Sequence, residues 1–363
     1  MDKNLNITKT SYPRIVIIGG GFAGVALAKK LSKQEVQVVL LDKNNYHTFQ
    51  PLLYQVSTGG LEPDSIAYPI RKILKDFPNF YFRMAVVEEI DTDKNKVKTN
   101  IGNLKFDYLV VASGSTTNFF GNSEIEKHSM AMKTIPQSLN LRSLILENFE
   151  EALLTSDLNE RNALMNFVIV GGGPTGVELA GALAEIKKGI LPKDYPDLDT
   201  RSAQIHIVQS GDCILKGMSG KASAKAEDFL EKLGVNIWKN VRVTSYDGKT
   251  VTTNTDLTFE TATLVWAAGV KGATIKGLDA EEFVTRGNRL LVNQFNQVKG
   301  FRHIFAIGDI ACMVSDAFPH GFPMMAQPAI QQGDQLGENI LKFIEQKPMK
   351  AFVYKDKGAM ATI

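Results

Sequence analysis

Arg14-Ile15-Val16-Ile17-Ile18-Gly19-Gly20-Gly21-Phe22-Ala23-Gly24 is an apolar run that enters a glycine-rich turn and leaves it as a helical pattern, Phe22 to Leu31. Gly19, Gly21 and Gly24 have the G-x-G-x-x-G spacing of a dinucleotide-binding turn. Sterics explain the spacing. The first glycine takes a backbone angle that side chains disfavour. The second lets a pyrophosphate approach the chain, and the third lets the helix pack closely on the strand. Unpaired N–H groups at the helix start then face the phosphates. Val36 to Leu41 reads as a second strand and ends in Asp42, at the distance of about 20 residues where a carboxylate accepts from a ribose hydroxyl. Strand, turn, helix, strand and acid in that order set this stretch apart from a bare glycine turn.

The 363 residues leave room for two or three domains. At 44% hydrophobic and 22% charged, the chain can bury real cores. A net charge of +2 argues against a nucleic-acid binder driven by bulk charge. Cys213 and Cys312 lie far apart, with no disulfide framework and no C-x-x-C spacing, which suits a reducing, cytoplasmic setting. Met1 to Pro13 lacks the basic start and unbroken apolar segment of a secretory signal. No apolar run reaches the roughly 18 residues of a membrane-spanning helix.

Beyond Asp42, Lys43 to Thr48 is a polar loop and Ile66 to Leu74 reads as a short helix with Pro69 near its start. Short strands follow over Tyr81 to Ile90, Lys96 to Thr99 and Lys105 to Phe106. The buried strand Asp107 to Val111 then ends in Ala112-Ser113-Gly114, small residues that let a ligand approach. Ser138 to Leu154 is helical and Thr155 to Asn162 reads as a linker.

The opening pattern then recurs. Phe167 to Val170 runs into Gly171, Gly173 and Gly176 at the same spacing, followed by a helix, Val177 to Lys188, and a strand, Gln204 to Val208. Two such turns in strand and helix context point to two dinucleotides. The copies differ at the acid position, where Gln209 replaces a carboxylate. An amide repels a 2′-phosphate less than an acid does, so NADPH is expected to be tolerated beside NADH; Asp212 is the alternative acid. Thr263 to Val270, including Gly269, mirrors the strand that ends at Gly114. His303 to Ala306 is a further buried strand, and Asp309 behind it is placed to hold a sugar-alcohol hydroxyl. Ala326-Gln327-Pro328-Ala329-Ile330-Gln331-Gln332 opens the last helix. His47, His128, His206, His303 and His320 show no ligand spacing and read as ordinary surface or loop residues, so no metal site is expected.

This ordered set resembles the two-dinucleotide-binding-domain flavoproteins of the pyridine nucleotide-disulfide oxidoreductase superfamily, and is most similar to the type II NADH:quinone oxidoreductases. The glycine turns are shared across the superfamily. Phe49-Gln50-Pro51-Leu52-Leu53-Tyr54-Gln55 and Ala326 to Gln332 are the more specific stretches. The resemblance implies an α/β fold with two Rossmann-like dinucleotide-binding domains, the second inserted into the first. FAD would occupy residues 11–160 and 289–335, NADH would occupy 161–288, and 336–363 would begin a C-terminal region. The family continues past Lys357-Gly358-Ala359-Met360-Ala361-Thr362-Ile363 into a membrane-docking region, so a shortened chain is expected.

The resemblance further implies that hydride passes from NADH to flavin, and two electrons from there to a membrane quinone, without proton pumping. Implied FAD neighbours are Gly19, Gly21, Gly24, Asp42, Lys43, Gln50, Ala112, Gly114, Asp309 and Gln327. Those of NADH are Gly171, Gly173, Gly176, Gln209 and Gly269. Glu178, Gln327 and Gln331 are the implied catalytic groups, Glu178 relaying a proton to reduced quinone. The implied location is the inner face of the cell membrane, as a peripheral protein and a possible homodimer. Disulfide reductases of the superfamily carry two cysteines where this chain has Phe49 to Gln55. Two other functions stay open: a sulfide:quinone oxidoreductase-like enzyme, should Cys312 be reactive, and an NADH-responsive signalling flavoprotein.

Overall fold

The computed structural model describes residues 5–285 and 287–363; the first four residues of the polar N-terminal stretch lie outside them. The chain divides into two compact units. The first comprises Met1–Thr48, Ala67–Thr116 and Val270–Lys357; the second comprises Phe49–Ile66, Thr117–Gly269 and Gly358–Ile363. The second unit's main segment thus interrupts the first, an α/β layout of two Rossmann-like halves with one inserted in the other.

In the first unit, five parallel strands stand in the order Ile304–Ala306, Tyr108–Val111, Arg14–Ile18, Gln37–Asp42 and Phe80–Met84. Central strands buried on both faces explain their continuous Val/Ile/Leu runs, which show no polar alternation. The helix Phe22–Lys30 leaves the glycine turn and packs against the last helix, Ala326–Ile344. Two glycines permit that approach. A Cβ at Gly333 would lie 2.5 Å from the Ala23 carbonyl oxygen, and one at Gly337 2.6 Å from Lys30 Cγ. Leu336 and Ile340 of the last helix join Ile15, Ile17 and Leu27 in one core. A meander of Val87–Asp91, Lys96–Thr99 and Gly102–Lys105 and a small sheet of Val284–Thr285, Arg289–Val292 and Ala311–Met313 also belong to this unit.

The second unit repeats the plan. Its parallel sheet runs Met130–Ala131, Thr263–Trp266, Asn166–Val170, Gln204–Gln209 and Val235–Lys239, with its own three-stranded meander over Val243–Tyr246, Thr250–Thr253 and Thr258–Glu260. The helix Ile135–Leu154 starts earlier than the apolar pattern suggests, because Thr134 and Gln137 form a capping box ahead of it.

Three local expectations fail, the first at the polar loop Lys43 to Thr48, which carries the strand Tyr46–Thr48. The helix expected over Ile66 to Leu74 is instead a strand, Ala67–Pro69, paired with Tyr46–Thr48, then a short helix, Ile70–Ile73. Pro69 cannot continue a helix backwards, so the helix starts just after it. The expected linker Thr155 to Asn162 contains the helix Leu158–Leu164. Asp157 caps it, its Oδ1 accepting from the Asn159 N–H at 2.8 Å and the Glu160 N–H at 3.4 Å. Among the described residues no helix is long and apolar enough to cross a membrane.

Candidate functional site: two glycine turns and their helices

Each turn uses its three fingerprint glycines in two ways. Gly19 has φ +109°, and a Cβ there would lie 2.2 Å from the Ala112 carbonyl oxygen; one at Gly24 would lie 1.9 Å from the Gly19 carbonyl oxygen. Both are therefore required by packing within the protein. A Cβ at Gly21 would meet nothing within 4 Å. No contact inside the protein requires a glycine there, and the open space is compatible with a pyrophosphate cradle. The second turn matches. Gly171 has φ +112°, and a Cβ there would lie 2.7 Å from the Ala267 carbonyl oxygen; one at Gly176 would lie 2.0 Å from the Gly171 carbonyl oxygen, and one at Gly173 would meet nothing within 4 Å. Gly114 is likewise open on its Cβ side. These residues fit dinucleotides in both units.

Asp42 and Gln209 do the same structural work from the ends of equivalent strands. Asp42 Oδ2 accepts from the Gly20 N–H at 2.6 Å and Oδ1 from the Asn44 N–H at 2.7 Å. Gln209 Oε1 accepts from the Gly172 N–H at 2.9 Å. Carboxylate and amide can both latch the turn. They differ at the second polar atom, where Asp42 offers an acceptor and Gln209 an N–H₂ donor. Burial pushes the Asp42 carboxyl above its usual range, against the two N–H donors that favour its charge.

His47, read from sequence as an ordinary loop residue, is half-buried beside this turn. Its Nδ1 lies 3.0 Å from the Gly20 carbonyl oxygen, and its ring meets Phe22 edge-on at 5.0 Å. His206 also departs from the surface reading. It is buried, with the Trp238 indole N–H donating to its Nδ1 at 3.1 Å, and burial pushes its pKa down to about 4. Its place inside the strand Gln204–Gln209, between apolar residues, is the signal in the sequence.

Asp309 sits in the short turn Gly308–Ile310, behind the strand Ile304–Ala306. Ser115 Oγ donates to its Oδ2 at 2.5 Å. The Gly308 N–H donates to Gln332 Oε1 at 2.8 Å. Gln332 is buried, whereas Gln327 and Gln331, the residues singled out from sequence, are partly exposed on the same helix. Both of those engage one extended segment. Gln331 bonds the Lys355 backbone twice, at 2.9 and 3.0 Å, and Gln327 Oε1 accepts from the Lys357 N–H at 3.2 Å. The shared helix face brings Gln327 and Gln331 together on that segment. Lys43 and Gln50 are exposed.

In the second unit Glu178 occupies the start of the helix Pro174–Gly189. Its Oε1 accepts from the Thr362 N–H at 3.3 Å. Burial pushes the carboxyl from 4.5 to about 7, only partly countered by that donor. A carboxyl raised this far toward neutrality suits proton donation and acceptance better than an ordinary surface glutamate. Gly269 closes the unit's sheet end, its carbonyl accepting from the Asn118 N–H at 3.0 Å.

This duplicated dinucleotide architecture agrees with the relatives. Residues 13–333 match the family described as pyridine nucleotide-disulphide oxidoreductase. The chain is 35% identical to the type II NADH:quinone oxidoreductase NdhA of Mycobacterium tuberculosis, over 96% of this chain and 77% of that protein. It is 30% identical to the type II NADH:quinone oxidoreductase of Haemophilus influenzae, over 96% of this chain and 84% of that one. The fold superposes on NDH2 from Plasmodium falciparum in complex with NADH with a TM-score of 0.89 and 21% identity, covering 97% of this chain and 88% of that one. The chain thus belongs, within that family, to the type II NADH:quinone oxidoreductases.

Proposed function

We propose that the protein is an FAD-dependent enzyme that oxidises NADH and reduces a membrane quinone without pumping protons. FAD, when bound, supplies the two-electron chemistry that links a hydride donor to a quinone. The chain's own residues bind and orient. The turn at Gly19 to Gly24 receives the FAD pyrophosphate at its open middle glycine, and Asp42 receives the adenosine ribose. Asp309, aimed by Ser115, accepts from a ribityl hydroxyl. The turn at Gly171 to Gly176 receives NADH, with Gln209 at its ribose. Lys43, Gln50, Ala112, Gly114 and Gln327 line the flavin, and Gly269 the nicotinamide nucleotide.

Glu178 carries the reading. NADH delivers two electrons and one proton as hydride, and quinone reduced to quinol takes up two protons, so one more must be supplied. A carboxyl poised at about 7 on the nicotinamide-binding helix supplies it. Gln327 and Gln331 are proposed to border the quinone head-group. Membrane docking at the inner face and a homodimer are supported by the family resemblance alone. The test is anaerobic mixing with NADH, then with a soluble quinone, while the flavin absorbance is followed. Bleaching on NADH and recovery on quinone are expected; no bleaching would sink the proposal.

A further inference from the structure

Arg289 is 8% exposed at the start of the strand Arg289–Val292, and its guanidinium is held by backbone carbonyls. Nε donates to the Asp309 carbonyl at 3.1 Å and Nη1 to that of His320 at 3.3 Å. Nη2 donates to the carbonyls of Ala311 and Phe322, the latter at 3.0 Å. These acceptors bracket the whole segment from Asp309 to Phe322, which leads into the helix carrying Gln327. A planar fork with five donors can serve these four carbonyls on two stretches of chain, 309–311 and 320–322; a lysine ammonium offers three donors on one atom.

The same turn is pinned from two more sides, by Gln332 on the Gly308 N–H and by Ser115 on the Asp309 carboxylate. Gln332 is itself fixed, its Nε2 donating to Asn296 Oδ1 at 2.9 Å inside the core. The loop wraps the guanidinium closely. At Gly321, with φ +78°, a Cβ would lie 2.8 Å from Cys312 Sγ and 3.2 Å from Arg289 Nη1.

We propose that Arg289 is a positioning residue for flavin retention: by clamping the carbonyls between Asp309 and Phe322, it fixes the turn from which the Asp309 carboxylate meets the ribityl chain. The inference rests on the assignment of Asp309 to the flavin. Removing the guanidinium strands several carbonyls at once and releases the loop while leaving the Asp309 side chain intact.

Two readouts test it: the FAD dissociation constant from flavin fluorescence, and backbone hydrogen exchange over residues 306–325 in FAD-free protein. Arg289→Met is expected to raise the constant at least tenfold and to speed exchange before FAD is added. Arg289→Lys should fall between parent and Met, and NADH binding to the FAD-free protein should not change. An unchanged FAD constant with unchanged exchange overturns the proposal. If Arg289→Met does not fold, Arg289→Lys carries the test: an FAD constant and exchange both unchanged from the parent overturn the proposal. Asp309→Asn separates the two layers. If it binds FAD as tightly as the parent, the Asp309 assignment fails and takes the Arg289 role with it. If it weakens FAD while Arg289→Met does not, only the Arg289 inference fails.

Discussion

Replacing Glu178 by glutamine tests both the stability and the chemistry attributed to that carboxyl. Burial favours its neutral form, raising the pKa from 4.5 to about 7. At 1.36 kcal/mol per tenfold change in acidity, the nominal cost of ionising it in the fold is roughly 3 kcal/mol. The group is partly solvent-accessible, so screening reduces that to about 1–2 kcal/mol. The sign follows from linkage. Between pH 4.5 and about 7 the folded state holds a proton that the unfolded state has lost, so stability falls as pH rises through that window and is flat above it. The substituted amide does not ionise, and its oxygen can still accept from the Thr362 N–H. Glu178→Gln is therefore expected to be near-neutral at about pH 4 and stabilising by about 1–2 kcal/mol at about pH 8. Denaturant titrations of both proteins at several pH values measure the difference. Catalytically, flavin reduction by NADH should proceed at the parent rate, whereas quinone reduction should slow and lose its dependence on pH near neutrality. A stability difference that stays constant across this pH range would refute the reasoning, whatever the activity.

The other expectations concern the two cradles and the thiols. Gln209→Glu keeps the acceptor for the Gly172 N–H but adds charge at the ribose, so discrimination for NADH over NADPH should sharpen by about tenfold in kcat/KM; unchanged discrimination counts against the residue's role. Gly24→Ala forces a methyl to within 1.9 Å of the Gly19 carbonyl oxygen and should destabilise the fold by at least about 1–3 kcal/mol. Gly21→Ala meets nothing in the protein and should purify with less flavin but, compared free of flavin, melt like the parent; equal stability losses in the two flavin-free variants would contradict the division of labour among the glycines. Cys312 is buried and Cys213 only partly exposed, both as free thiols. Cys312→Ser should keep NADH:quinone activity, and sulfide should leave the parent's flavin oxidised; flavin reduction by sulfide that is lost in Cys312→Ser would revive the sulfide:quinone reading.

What can be read from sequence follows the range of the forces involved. Gly19, Gly21 and Gly24 are legible because their steric duties are settled within a few residues of one another. The sheet strands are legible because strands buried on both faces write themselves as unbroken apolar runs. The helix after Asp157 is legible in principle, since a capping acid followed by Glu160 announces a helix within a polar stretch, but polarity alone suggests a linker there. Arg289 and Gln332 are not legible. Their partners lie about 20 residues or more away along the chain, on segments with no shared periodicity, and a single charged or amide residue in an apolar stretch does not say which carbonyl it will find. The motif singles out Gln331, yet the amide reaching the Gly308 turn belongs to its neighbour. Helix rotation decides which of two adjacent glutamines points inward, and the motif alone carries no such phase.

The packing of Ala326–Ile344 on Phe22–Lys30 also bears on how the chain is made. A ribosome releases the first helix about 300 residues before its partner. In the interval the second unit's main segment, Thr117–Gly269, emerges entire and can begin to fold on itself. The first unit meanwhile waits as a four-stranded sheet, with the Tyr108–Val111 edge open until Ile304–Ala306 arrives. An open apolar edge is an invitation to aggregation. Cells making this protein therefore have most reason to guard that open edge until Ile304–Ala306 is made.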